Sequence, residues 1–213
     1  MSRTPGLPLV LRLEGRRVLL VGAGTIAAGK LAALLRAGAR VRVVAPAVTE
    51  EVARLAEDAG AEVVVREVTE SDLDDVRFVV TATPHAVSRQ VRGWADARRL
   101  LLLAVDDVAA TDAHSPAVFE RGGVTIALSS DGRAPALVGF LRQLLEAALP
   151  SEEELAEWLR LADDERAIWK AEGLPLGERR RRLVGRLCEQ GGACRHVAPS
   201  EAPDPTGAAE VQP

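Results

Sequence analysis

Two glycines and an alanine within one short stretch carry the first chemistry in this sequence. Val18-Leu-Leu-Val-Gly22-Ala-Gly24-Thr-Ile-Ala27 runs an apolar segment into a glycine turn and on into an Ala/Leu-rich helical pattern. That order matches the G-x-G-x-x-A fingerprint of a dinucleotide site. Gly22 makes the turn, Gly24 lets backbone approach a pyrophosphate, and Ala27 keeps the helix tight on the sheet. The helix start then offers N–H groups and a positive dipole end to the phosphates. An NAD site often carries an acid for the ribose about 20 residues further on. Here that place reads Ala45-Pro46-Ala47, with neither an acid for a 2′-hydroxyl nor an arginine for a 2′-phosphate. The usual residue therefore does not choose between NAD and NADP, and backbone at Pro46 and Ala47 is left to cradle the ribose.

Three further groups have the chemistry of a site. Thr81-Ala-Thr83-Pro84-His85 and Val105-Asp106-Asp107 each end an apolar run. In an open parallel sheet, ligands gather outside the carboxyl ends of the strands, so both segments face the expected crevice. Asp106 follows five apolar residues, and partial desolvation there would suit it to proton transfer. The competing reading is that Asp106 or Asp107 caps a turn. His85 reads either as a loop residue near a nicotinamide or as a solvated or capping histidine. His114, in the segment after Asp106, could face a large ligand. Ser129-Ser130-Asp131-Gly132-Arg133 enters a helix at Pro135, which reads as an anion site of backbone N–H groups and one guanidinium, or as an ordinary capping turn.

The elements that must hold these residues alternate. Strands are expected at 18–21, 41–44, 62–65, 76–82 and 100–105, with helices at 26–37, 50–59 and 86–98 between them. Strands without polar alternation, separated by helices, predict a parallel sheet covered on both faces, an α/β Rossmann-type domain. A strand at 124–128 and helices at 136–148, 152–170 and 176–189 follow. The expected division is a nucleotide-binding domain over 1–112, a small segment over 113–149, a helical domain over 150–190 and a disordered tail over 191–213.

Composition bounds the function. The chain has 213 residues and a net charge of −4, which argues against nucleic acid as the main partner. No apolar run approaches the ~20 residues of a membrane span, and the N-terminus lacks an apolar signal core. Two cysteines are too few for a disulfide framework, and three histidines are too scattered for a metal pair, so no metal site is expected. The chain reads as soluble and cytoplasmic. Trp94, Trp158 and Trp169 read as packing residues, and Arg179–Arg182 as a solvated helix face.

These blocks, in their order and spacing, resemble the dehydrogenase/ferrochelatase module of the siroheme synthase family from about Leu7 to Pro150. The resemblance rests on Leu7-Pro8-Leu9, Val21-Gly22-Ala-Gly24-x-x-Ala27-x-x-Lys30, Val43-Val44-Ala45-Pro46 and Thr81-Ala82-Thr83. It continues through Ala104-Val105-Asp106, Ser115-Pro116-Ala117 and Ile126-Ala-Leu-Ser129-Ser130-x-Gly132-x-x-Pro135. It implies oxidation of precorrin-2 to sirohydrochlorin with NAD as hydride acceptor, and in some members insertion of ferrous iron to give siroheme. It implies a homodimer built through the segment after the Rossmann domain. It places cofactor contacts at Gly22, Gly24, Thr25, Ile26, Ala45, Pro46, Ala47 and Thr83, and the catalytic aspartate at Asp106. Substrate contacts fall on Ser129, Ser130, Gly132, Arg133 and His114, and a serine phosphorylated in some members falls on Ser130. The sequence departs from the family at Pro84-His85, Ala104, Val108, Asp131 and Ala134, which bears on the tetrapyrrole pocket more than on the nucleotide site. No methyltransferase domain of the kind that trails the module in the family is expected. A different class of function fits the glycine turn alone: an NAD(H)-sensing regulatory module without catalysis.

Overall fold

A computed structural model describes residues 6–105, 107 and 109–189. The expected tail over 191–213 lies outside the described residues, as does Asp106. The chain divides into two compact units. The first runs to Ser115 and takes in Asp131–Arg133; the second comprises Pro116–Ser130 and the chain from Ala134 onward.

In the first unit the strands are β1 (Arg17–Val21), β2 (Arg40–Ala45), β3 (Glu62–Val65), β4 (Phe78–Thr81) and β5 (Leu101–Ala104). They form one parallel sheet in the order β3-β2-β1-β4-β5. The helices α1 (Thr25–Arg36), α2 (Glu50–Ala59) and α3 (His85–Ala97) connect them, and a 3-10 turn, Glu70–Leu73, lies between β3 and β4. The unbroken apolar character of β1 has a direct physical cause. Val18 and Leu20 pack into the core with α1 and α2, while Leu19 and Val21 pack into the opposite core with α3. A strand covered on both faces cannot alternate with polar residues. Each fully buried Val or Leu contributes about 1.5–3 kcal/mol. The sheet order reverses direction between β1 and β4, so the crevice of such a fold opens at the carboxyl ends of those two strands.

The second unit contains an antiparallel pair, β6 (Ala117–Arg121) and β7 (Val124–Leu128), then α4 (Pro135–Ala148), α5 (Glu152–Glu172) and α6 (Leu176–Glu189). The Gly122-Gly123 turn joining β6 to β7 has φ of 54° and 81°, the left-handed pair that a two-residue hairpin requires. A Cβ on Gly122 would lie 2.6 Å from the Glu152 carbonyl oxygen, so the first turn of α5 packs directly on the hairpin. Ser151 caps α5 by accepting from the Glu154 N–H, and Glu154 accepts in return from the Ser151 N–H. Glu165, almost fully buried, accepts from the Trp169 indole and meets Arg182 and Arg186 of α6 at 3.2 Å each. Part of the arginine run expected to be solvated thus fastens α6 to α5. Cys188 is disulfide-bonded. Among the described residues, no helix is long and apolar enough to cross a membrane.

Candidate functional site

The glycine turn is held from three sides. Gly22 has φ of 103°, and its N–H donates to the Val44 carbonyl at 2.9 Å. A Cβ at Gly22 would lie 2.3 Å from the Ala82 carbonyl oxygen and 3.1 Å from Thr83 Cγ2. The turn after β1 therefore lies directly against the end of β4. The Ala23 carbonyl accepts from both the N–H and the hydroxyl of Thr49, at 3.0 and 2.9 Å. Thr49 stands at the N-cap position of α2, but its hydroxyl anchors the glycine turn rather than capping the helix.

Gly24 behaves differently from Gly22. It is the N-cap of α1 with an ordinary extended φ of −88°, and nothing lies within 4 Å of where its Cβ would be. The space beside it is open, and a side chain would enter it. No side chain caps α1 and its first turn contains no acid, so the helix start is left uncompensated. The first-turn N–H groups, those of Thr25 and Ile26 included, have no acceptor within the helix. Ile26 is exposed and Ala27 is fully buried, as close helix–sheet packing needs. These residues fit a dinucleotide: an open backbone approach, unpartnered helix donors and no competing carboxylate.

At the end of β2, Ala45 is buried while Pro46 and Ala47 are exposed. Beside the end of β3, Arg66 places both terminal nitrogens on Asp72 at 2.7 Å. That pair, chiefly the Arg66 hydrogen bond, holds the nearly buried Asp72 carboxyl down at about 2.

At the end of β4, Thr81, Ser88 and Thr83 form a chain of hydroxyls. Thr81 Oγ1 and Ser88 Oγ are 3.0 Å apart, and Ser88 Oγ and Thr83 Oγ1 are 3.1 Å apart. The chain joins β4 to α3 beneath the crevice. His85 is the first residue of α3, and its Nδ1 lies 3.0 Å from Asp107 Oδ2 beyond β5. The Asp107 carboxylate is buried, and its Oδ1 accepts from the Ala109 N–H at 3.2 Å. Asp107 thus caps the following turn, one of the two readings open in the sequence. Among the described residues, no donor meets Oδ2 with good hydrogen-bond geometry. The His85 contact is close but lies off the ideal N–H axis. Burial pushes the Asp107 carboxyl up, but His85 and the N–H groups of Ala109 and Ala110 outweigh it and hold it below the usual range.

The chain after Asp107 folds back along β5. Leu102 N–H donates to Asp112 Oδ2 at 2.9 Å, and Ala104 N–H to Thr111 Oγ1 at 3.0 Å. Arg92 of α3 clamps this segment, meeting Asp112 at 2.7 Å and Asp96 at 2.6 Å. His114 is exposed, and Ser115 Oγ accepts from Lys30 Nζ at 2.8 Å.

The turn before α4 carries two left-handed residues. Ser130 Oγ accepts from the Ala134 N–H at 2.9 Å, while Asp131 and Gly132 have φ of 52° and 74°. Ala134 is the N-cap and Pro135 opens the helix, as expected. Arg133 is exposed. Of the residues singled out in the sequence, Gly22, Gly24, Thr25, Ile26, Ala45, Pro46, Ala47 and Thr83 share the carboxyl edge of the sheet. Ser129 and Ser130 belong to the second unit. Sequence reasoning missed Thr49, Ser88 and Arg92 as supports, and the joining of His85 to Asp107. The spacing of Ser88, Val91 and Ala95, one buried face of α3, was the available signal.

A parallel sheet of this order, with a glycine turn feeding an uncapped helix, defines a Rossmann-type dinucleotide-binding protein. Residues 9–117 match the family model described as "Putative NAD(P)-binding", and the chain belongs to that family. It is 44% identical over 146 residues to the siroheme synthase of Pseudomonas entomophila, covering 68% of this chain and 32% of that protein. It is 39% identical over 176 residues to siroheme synthase 1 of Yersinia enterocolitica, covering 82% and 37%. The chain therefore spans about a third of the length of these relatives. The solved structure of SirC, precorrin-2 dehydrogenase, matches with a TM-score of 0.67 and 25% identity, over 92% of this chain and 94% of that one. The resemblance drawn from the sequence is borne out.

Proposed function

We propose that this protein oxidises precorrin-2 to sirohydrochlorin with NAD as hydride acceptor. The observation that carries the reading is the open, uncapped Gly24 turn in a chain whose fold follows SirC over nearly its whole length. The bound dinucleotide would supply a nicotinamide that accepts a hydride. The protein's own residues do the rest. Gly22, Gly24, Thr25 and Ile26 receive the pyrophosphate, while Ala45, Pro46 and Ala47 bound the ribose and Thr83 lines the β4 side. Arg66, committed to Asp72, is not available to a 2′-phosphate, which favours NAD over NADP. Asp106 serves as the catalytic carboxylate next to the macrocycle. Ser129, Ser130, Gly132, Arg133 and His114 recognise the substrate's carboxylates, to which a guanidinium and backbone N–H groups are complementary. Insertion of ferrous iron into the product is the second activity tested below. We place the enzyme in the cytoplasm.

Mixing the protein with NAD and precorrin-2 is expected to develop the absorbance of sirohydrochlorin with one NADH per product. An unchanged spectrum, despite tight NADH binding, would favour the sensing module instead. Repeating the assay with ferrous and cobaltous ions against a no-enzyme control decides the chelatase activity.

The working form is a homodimer. Leu137, Phe140, Leu141 and Leu144 are exposed on α4 at helical spacing, so they form one apolar stripe. Clustered exposed apolar residues of this kind mark an interface. Phe140→Glu is expected to convert a dimer to a monomer in sedimentation equilibrium. A variant that sediments like the wild type would remove this face from the interface.

A further inference from the structure

His85 and Asp107 form a pair that the roles above do not use. They sit on two different elements at the crevice edge. His85 opens α3 just past the end of β4, two residues beyond Thr83. Thr83 in turn lies against the Gly22 turn. Asp107 follows β5, the next strand over. The imidazole side chain is 60% exposed, whereas the carboxylate it meets is 9% exposed. The buried end of the pair is thus the acid and the open end is the ring. Asp107 Oδ2 meets no aligned donor among the described residues, and His85 Nδ1 stands 3.0 Å from it, so the carboxylate favours a proton on Nδ1. The proton on Nδ1 leaves Nε2 with its lone pair, directed away from the carboxylate. A buried carboxylate that sets the tautomer of an exposed histidine is the arrangement of a general base and its orienting group. A purely structural tie would need no exposed ring. The other charged side chain on this turn, Arg89, donates to the His85 carbonyl at 3.3 Å and leaves the ring to Asp107.

We propose that His85 accepts the proton released in the oxidation and that Asp107 is its positioning residue. This rests on the dehydrogenase reading. Each turnover breaks two bonds to hydrogen in the macrocycle. One hydrogen leaves as hydride with its electron pair and reduces NAD to NADH. The other leaves as a proton, and its bonding pair becomes the new double bond. That proton goes to His85 Nε2 and from there to water. Asp106 then acts electrostatically, steadying the positive charge that builds on the ring as hydride departs.

The test uses the full chain with His85→Ala, His85→Gln and Asp107→Asn. Nitrogen NMR of the cofactor-free protein should find His85 protonated at Nδ1, and Asp107→Asn should abolish that preference. His85→Ala should lower kcat about 100-fold, the scale of general acid–base catalysis, with NADH affinity unchanged. Added imidazole should restore about tenfold of that loss in His85→Ala, because a free base can occupy the vacated space. His85→Gln fills the space and should not be rescued. Turnover of His85→Ala near the wild-type rate would overturn the proposal. So would a loss that imidazole leaves untouched, or a His85 tautomer indifferent to Asp107→Asn. If the wild type forms no NADH from precorrin-2, the dehydrogenase reading fails by itself, and the NMR result still decides whether Asp107 sets the His85 ring.

Discussion

Gly22→Ala is expected to be the most damaging single-methyl change in the chain. Two costs combine. Alanine at φ of 103° is strained by about 1–3 kcal/mol. Its Cβ would also stand 2.3 Å from the Ala82 carbonyl oxygen, a backbone atom held in place by the Ala82 N–H bond to Val21. The ends of β1 and β4 would have to separate at the switch point of the sheet. Together these effects should remove about 3–5 kcal/mol, a large share of the 5–15 kcal/mol of an ordinary domain. Differential scanning calorimetry should find a melting point lower by more than about 10 °C, or little folded protein at all. Gly24→Ala separates stability from binding. Its φ of −88° suits alanine and its Cβ would meet nothing. That variant should melt with the wild type yet bind NADH at least about tenfold more weakly, because the methyl enters the space left for a pyrophosphate. Equal melting of Gly22→Ala and wild type would show that the turn is not the anchor described here.

Most of the first unit was readable because each element is punctuated by its own chemistry. Gly60 closes α2 in the left-handed conformation, and β3 and β7 fall on the expected residues. The strand β6 was missed, although Gly122-Gly123 between alternating segments is a hairpin signal. Its short run, Ala117–Arg121, contains two charged residues and resembles a loop when read alone. Only pairing with β7 makes it a strand. The site was half legible for a related reason. Glycines declare backbone geometry locally, so Gly22 and Gly24 could be told apart in role before any coordinates. The meeting of His85 with Asp107, or of Thr49 with Ala23, depends on which strands become neighbours. No spacing along the chain encodes a contact between residues on α3 and beyond β5.

Asp106→Ala is expected to have the largest effect on activity without an effect on the fold. Its covalent neighbours are both secured at the sheet edge. The Val105 N–H donates to the Thr81 carbonyl at 2.9 Å, and Asp107 is buried against His85. The return segment is tied to β5 by Thr111 and Asp112 and clamped by Arg92. None of these supports requires a carboxylate at position 106, so the variant should melt and bind NADH like the wild type. If that carboxylate steadies the charge that forms as hydride leaves, its loss should lower kcat by about 10²–10³-fold, the range found for removing one preorganised electrostatic group. KM should change much less, because an interaction made in the transition state appears in kcat. Asp106→Asn keeps the shape and removes the charge, so it should be nearly as slow as Asp106→Ala. Single-turnover formation of NADH from precorrin-2 measures the step itself. Asp106→Asn turning over at the wild-type rate would show that charge at this position is not used, and would leave the His85–Asp107 pair as the working acid–base apparatus of the site.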